Sequence, residues 1–139
     1  MRVLALDFGE RRIGVALSDP TRMLASPLTT LSRGRDGSDV AEVLRLAAEN
    51  DVGEIVIGMP VSLSGRRGPQ ADRVTRFAEA LRRATDIPVL SADERYSTVQ
   101  AERSLRESGV EPSRERSRVD AAAAAVILQS YLDSKRPLY

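Results

Sequence analysis

The segment Arg2-Val3-Leu4-Ala5-Leu6-Asp7-Phe8 constrains the fold more than any other part of the chain. It is apolar on both faces up to Asp7, and such a strand is stable only where both sides of its sheet are covered. Gly9-Glu10-Arg11-Arg12 supplies a turn, Ile13 to Leu17 a second short apolar run, and Leu24 to Leu31 a more polar third. A three-stranded antiparallel meander is expected. Pro27 cannot donate to a ladder, which marks the third strand as an edge or a bulge.

Beyond the meander the period changes. Ser38 is placed to cap a helix in which Val40, Val43, Leu44 and Ala47 share a face, followed by Gly53 and the strand Glu54 to Gly58. A loop from Met59 to Gly68 leads through Pro69, a good first-turn residue, into a second helix with Val74, Phe77, Ala78 and Leu81 on one side. Ile87 to Ala92 reads as a strand, Ser97 or Thr98 opens a third helix ending at Gly109, and Val119 to about Ser134 forms a fourth. The basic stretch Val110 to Arg118 between the last two is expected to be a loop. The pattern predicts an α/β fold: a mixed sheet of about five strands, the first three a meander, flanked by helices. With 139 residues, one domain covering 1–139 is expected.

Composition then narrows the chemistry. The chain has no cysteine and no histidine, which removes disulfides, thiolate nucleophiles, imidazole bases and the usual zinc cages. Carboxylates must carry any catalysis. No apolar run approaches the roughly 20 residues that span a bilayer, and the amino terminus lacks a signal-peptide pattern, so a cytoplasmic protein without membrane contact is expected. Net charge is only +1, so a nucleic-acid surface has to come from local clusters among the 21 basic residues.

Three positions carry carboxylates where the pattern demands apolar groups or strand ends. Asp7 closes a strand that is otherwise buried, at a cost of several kcal/mol unless a cation or hydrogen bonds compensate. A turn with Gly9 is the simpler alternative for it. Asp93 and Glu94 follow the strand Ile87 to Ala92, also at a carboxyl end, and either can point where Asp7 points. Asp120 shares a helical face with Ala123, Ala124, Ile127, Leu128 and Tyr131, and that face must be the buried one. The helix dipole repays only about 0.3–1 kcal/mol for an Asp in a first turn. Converging carboxylates suit hard divalent cations, Mg²⁺ or Mn²⁺, and such a site suits phosphodiester hydrolysis by a two-metal mode. The loop Gly58 to Gly68, with Arg66 and Arg67, offers amides and guanidinium groups to phosphate, although a plain polar connection fits its spacing equally well.

Taken in order, these segments resemble one family. Asp7-Phe8-Gly9-Glu10-Arg11-Arg12-Ile13-Gly14-Val15-Ala16 is similar to the opening motif of the YqgF family of RNase H-like proteins. Gly58-Met59-Pro60 with Gly65 and Gly68, then Asp93-Glu94-Arg95-Tyr96-Ser97-Thr98, then Asp120 with Ala123, Ala124, Ile127 and Leu128, resemble its later motifs. The family usually has Gly-Leu-Pro at the second motif and often Thr-Thr at the third; both changes here preserve size and polarity. The resemblance implies a nuclease that matures the 5′ end of pre-16S ribosomal RNA, with Holliday-junction resolution in branched DNA as the alternative. It implies Asp7, Glu94 and Asp120 as the acidic triad and metal ligands, with Asp93 in reserve for Glu94. It places Arg95 beside the triad and leaves Arg12, Arg66 and Arg67 to steer the phosphate backbone. A monomer or a homodimer is compatible with these roles.

Two rivals belong to other classes. Asp-x-Gly before a hairpin also resembles the first phosphate loop of the actin and sugar-kinase superfamily, but those proteins enclose ATP between two such domains. A noncatalytic module that binds nucleic acid through its arginine-bearing loops is the other, and it predicts salt-sensitive binding without cleavage.

Overall fold

The computed structural model describes residues 1–9, 11–34, 37–59, 69–93 and 116–135. Strand β1 (Arg2–Phe8) lies at the centre of a five-stranded sheet. It pairs antiparallel with β2 (Arg12–Ser18), which pairs antiparallel with β3 (Ala25–Ser32). On its other side it runs parallel to β4 (Val52–Met59), and β4 runs parallel to β5 (Val89–Asp93). The order β3-β2-β1-β4-β5 is the mixed sheet with a leading meander that the sequence predicts. Pro27 sits on an edge strand and also beside a bulge, because the register steps from Val15–Thr29 to Ala16–Pro27.

Alternation along β1 builds two separate cores. Leu4, Leu6 and Phe8 face one way and join Ile13, Val15, Ile55 and Ile57 under helices α1 (Ser38–Glu49) and α2 (Pro69–Ala84). Val3 and Ala5 face the other way with Ala16 and Val56, under helix α3 (Arg116–Lys135), which supplies Ala124, Leu128 and Leu132. Each large aliphatic side chain buried in this way stabilises the fold by about 1.5–3 kcal/mol. Val74, Phe77, Ala78 and Leu81 are all buried on α2, and Val43 and Ala47 on α1, as the helical spacing predicts.

Several boundaries differ from the sequence reading. Ser38 is the first helical residue, and the cap position falls on Gly37, whose φ of 85° is left-handed and which offers no side-chain bond. The reversal after α1 falls on Asp51, with φ 54°, while Gly53 lies inside β4 beneath the Met1 side chain. Helix α3 begins at Arg116, three residues before the expected start. The expected third helix, Ser97 to Gly109, and the part of the expected loop at 110–115 lie outside the described residues.

Candidate carboxylate site at the carboxyl end of β1

Asp7 is the next-to-last residue of β1 and half-buried. It continues the parity of Val3 and Ala5, so it stands on the face covered by α3. In the turn that follows, the Gly9 amide donates to the Arg12 carbonyl at 2.8 Å. Among the described residues the Asp7 carboxylate accepts no hydrogen bond and joins no ion pair. Among the described residues the turn-forming alternative therefore has no contact to support it.

Directly opposite Asp7 on β2 is Gly14. Paired positions on antiparallel strands project to the same face with Cβ atoms about 4.5–5.5 Å apart. At Gly14 that side-chain space is taken by the start of α3: an added Cβ would stand 2.0 Å from the Asp120 carbonyl oxygen and 3.0 Å from the Ala121 amide nitrogen. Glycine is required here for close approach of two backbones, and the approach brings the first turns of α3 against the position that faces Asp7. Two carboxylate-bearing residues separated by more than 110 positions thus meet at one end of the sheet. The sequence reading placed Gly14 in a motif without giving it a task; a glycine inside a strand run is the signal that marks it.

Asp120 is held by charge. Arg12 Nε lies 3.0 Å from its Oδ2, an oxygen shielded from solvent, while the two side chains as wholes are about one-third exposed. Arg12, expected on the phosphate backbone, is thus also the residue that neutralises Asp120. Asp93 ends β5, paired in register with Met59 at the carboxyl end of β4. Glu94, Arg66, Arg67 and Arg95 lie outside the described residues.

Among the described residues no three acidic groups form a metal cluster. Asp7 and Asp120 alone are nonetheless a fitting donor pair for a hard cation: both offer carboxylate oxygen, both stand on one face, and Asp7 has no competing partner among the described residues.

The arrangement, a β-meander continued by parallel strands with a carboxylate on the central strand and another in the second turn of the last helix, defines an RNase H-like protein. Solved structures share the fold across nearly the whole length. Thermus thermophilus RuvC in complex with Holliday junction substrate superposes with a TM-score of 0.60 at 18% identity, covering 97% of this chain and 96% of that one. The fowlpox virus resolvase, in complex with Holliday junction DNA, superposes with a TM-score of 0.60 at 13% identity, over 96% and 98%. The chain itself belongs to the RuvX family, described as Holliday junction resolvase, whose model matches residues 1–134. Among curated relatives, a protein of Roseiflexus sp. (strain RS-1) is 49% identical over 97% of this chain and 96% of its own length. One from Mycobacterium bovis (strain BCG / Pasteur 1173P2) is 47% identical over 96% and 79%. Both bear the name "Putative pre-16S rRNA nuclease".

Proposed function

We propose that this protein is a cytoplasmic nuclease that hydrolyses phosphodiester bonds of structured nucleic acid and trims the 5′ end of pre-16S ribosomal RNA. The observation that carries the reading is the meeting of Asp7 and Asp120 across Gly14, at a strand end where a half-buried carboxylate has no structural partner among the described residues. Membership of the RuvX family and the names of its curated relatives agree with it. Among the described residues no helix is long and apolar enough to cross a membrane.

Asp7 and Asp120 would hold Mg²⁺ or Mn²⁺ together with Glu94. Asp93, the last residue of β5, stays in reserve for Glu94. Bound divalent ions would supply an activated water and neutralise charge on phosphorus and the leaving oxygen, the two-metal mode. The chain's own part is positional. Asp7 is fixed by β1 and its pairing with Gly14, Asp120 by the seat of α3 on the sheet, and Arg12 balances Asp120 and offers a guanidinium beside the scissile phosphate. Arg66, Arg67 and Arg95 would bind the backbone without reading sequence.

The family description favours a second reading, resolution of branched DNA, which needs two sites and hence a homodimer. The test is cleavage of labelled pre-16S 5′-leader RNA beside a four-way DNA junction, in Mg²⁺, Mn²⁺ or EDTA, by wild type and Asp7→Asn. The expected result is metal-dependent cutting of the RNA that falls at least about a hundredfold in Asp7→Asn, as for loss of a direct ligand. Cutting of the junction alone moves the assignment to recombination. Binding without cutting under any metal overturns the nuclease reading in favour of a noncatalytic module.

A further inference from the structure

On the opposite face of the sheet from Asp120, at the same end, a hollow of about 430 Å³ opens between the exit of β3, the start of α1 and the first turns of α2. Its floor is the ring of Phe8, the residue after Asp7. Three guanidinium groups line it, those of Arg33, Arg73 and Arg76. Arg33 is fixed in place: its Cζ stands 4.2 Å from the centroid of Phe8, and its Nη1 donates to the Gly9 carbonyl at 3.3 Å. Arg73 and Arg76 project from the first two turns of α2, both exposed, and neither is ion-paired among the described residues.

Among the described residues the only carboxylate on the lining is Asp39, and it faces inward. It is 6% exposed and accepts the amides of Gly34 at 3.3 Å and Val40 at 2.9 Å. Gly37 at the amino end of α1 also borders the hollow, adding the positive end of a helix dipole. Among the described residues three cations stand against one internally satisfied anion on a concave surface, which selects a polyanion over a neutral ligand.

From this lining we propose that the hollow binds backbone phosphates of the nucleic-acid substrate, outside the carboxylate site, with Arg33 as the fixed anchor and Arg73 and Arg76 as the closing contacts. The proposal rests on the nuclease reading and extends it. Asp7 and Phe8 are adjacent residues about 3.3 Å apart along β1 with side chains on opposite faces. A strand or duplex laid across the end of the sheet can therefore keep one phosphate at the carboxylates and others, some nucleotides away, at the hollow. That geometry favours a substrate longer than the reacting nucleotide and disfavours short fragments.

The test is fluorescence anisotropy with labelled leader RNA and, in a separate arm, a four-way DNA junction. EDTA suppresses cleavage, and NaCl is varied, using wild type, the double variant Arg73→Gln/Arg76→Gln and its counterpart Arg73→Lys/Arg76→Lys. Loss of two phosphate contacts lowers the slope of log affinity against log salt by about 1.4–1.8, and affinity near 0.1 M salt by roughly tenfold or more. The lysine pair should restore most of the slope. Arg83→Gln, at the far end of α2 with its partner Glu79 at 3.9 Å, is expected to match wild type. Because Arg73 and Arg76 are exposed, the glutamine variant should melt with wild type. A slope lost on either polymer supports the site and identifies the polymer; an unchanged slope on both overturns it. Failure of the nuclease reading looks different, since wild type would then bind with its full slope yet cut nothing when Mg²⁺ or Mn²⁺ replaces EDTA.

Discussion

Gly14→Ala tests the seat of the last helix without touching a carboxylate. A methyl at this position meets the Asp120 carbonyl oxygen at 2.0 Å and its carbon at 2.3 Å, whereas ordinary contact begins at 3.4 Å. The obstacle is backbone, so no side chain can rotate out of the way. Either the first turns of α3 retreat by about 1.4 Å, the difference between those distances, or they unwind. Two opposing magnitudes decide the outcome. Replacing glycine by alanine stiffens the unfolded chain and on its own stabilises by about 0.4–1 kcal/mol. Overpacking a close contact costs about 1–3 kcal/mol, and here the cost falls at the upper end because backbone must move. A net loss of about 2–2.6 kcal/mol remains, which for a chain of this size lowers Tm by roughly 7–9 °C.

The effect on chemistry should be larger than the effect on stability. A displacement of about 1 Å in a catalytic group costs on the order of a hundredfold in rate. Differential scanning fluorimetry and the leader-RNA cleavage assay are to be run together, with Gly53→Ala as the comparison. There the added methyl meets Met1 Cβ at 2.8 Å and Sδ at 2.9 Å, and because Met1 is the first residue and 65% exposed the chain end can shift, so Tm should fall less than for Gly14→Ala and cleavage should hardly change. If Gly14→Ala melts with wild type and cleaves as fast, α3 is not seated through Gly14 and the convergence of Asp7 with Asp120 loses its physical basis.

Two further predictions concern charge. Arg12→Gln removes the cation 3.0 Å from Asp120 Oδ2, with which a divalent ion must compete. Because the pair is about one-third exposed, its strength is at most about 1 kcal/mol, so Mn²⁺ binding followed by electron paramagnetic resonance should tighten by no more than about fivefold; weakened Mn²⁺ binding would show that Arg12 positions Asp120 instead of opposing the metal. At the other end of α3, burial and then the hydrogen bond its hydroxyl donates to Glu54 push Tyr131 up from 10.0 to about 12. The unfolded chain releases this proton first, so the contribution is intact below pH 10 and lost as pH rises from about 10 towards 12. Tm profiles should show a steeper alkaline decline in wild type than in Tyr131→Phe, and parallel profiles would exclude the effect.

What the sequence disclosed and what it hid follow from the range of the interactions involved. A strand apolar on both faces has one stable setting, so β1 and its covering layers are legible from seven residues. Pro27 carries its own ladder restriction, and Asp120 betrays its setting through the helical company of Ala123, Ala124, Ile127 and Leu128. Local punctuation was harder to read. Ser38 and Gly37 both satisfy the start of a helix, and the left-handed turn after α1 falls on Asp51 while Gly53 lies inside β4. Gly14 was opaque for another reason: its requirement comes from a backbone more than 100 residues away, and no spacing rule expresses that. The arginine hollow was opaque likewise, because Arg33 and Arg76 belong to different layers until the sheet brings β3 and α2 to one end.

The size gradient along the α3 interface explains why the helix comes closest at its start. From the carboxyl end of β1 inward, the face carries Asp7, Ala5 and Val3, with Gly14 and Ala16 beside them on β2. The helix answers with Ala121, Ala123 and Ala124 near Asp120 and with Ile127, Leu128 and Leu132 further along. Small groups meet small groups at the carboxylates and large meet large at the other end, so the packing acts as a wedge that tips the amino end of α3 onto the sheet. A uniformly leucine-lined helix would bury more carbon, worth about 0.8 kcal/mol per methylene, and would lift Asp120 away from the position facing Asp7. The alanine run thus gives up hydrophobic burial at the end of the interface that carries Asp7 and Asp120 and recovers it towards Leu128 and Leu132.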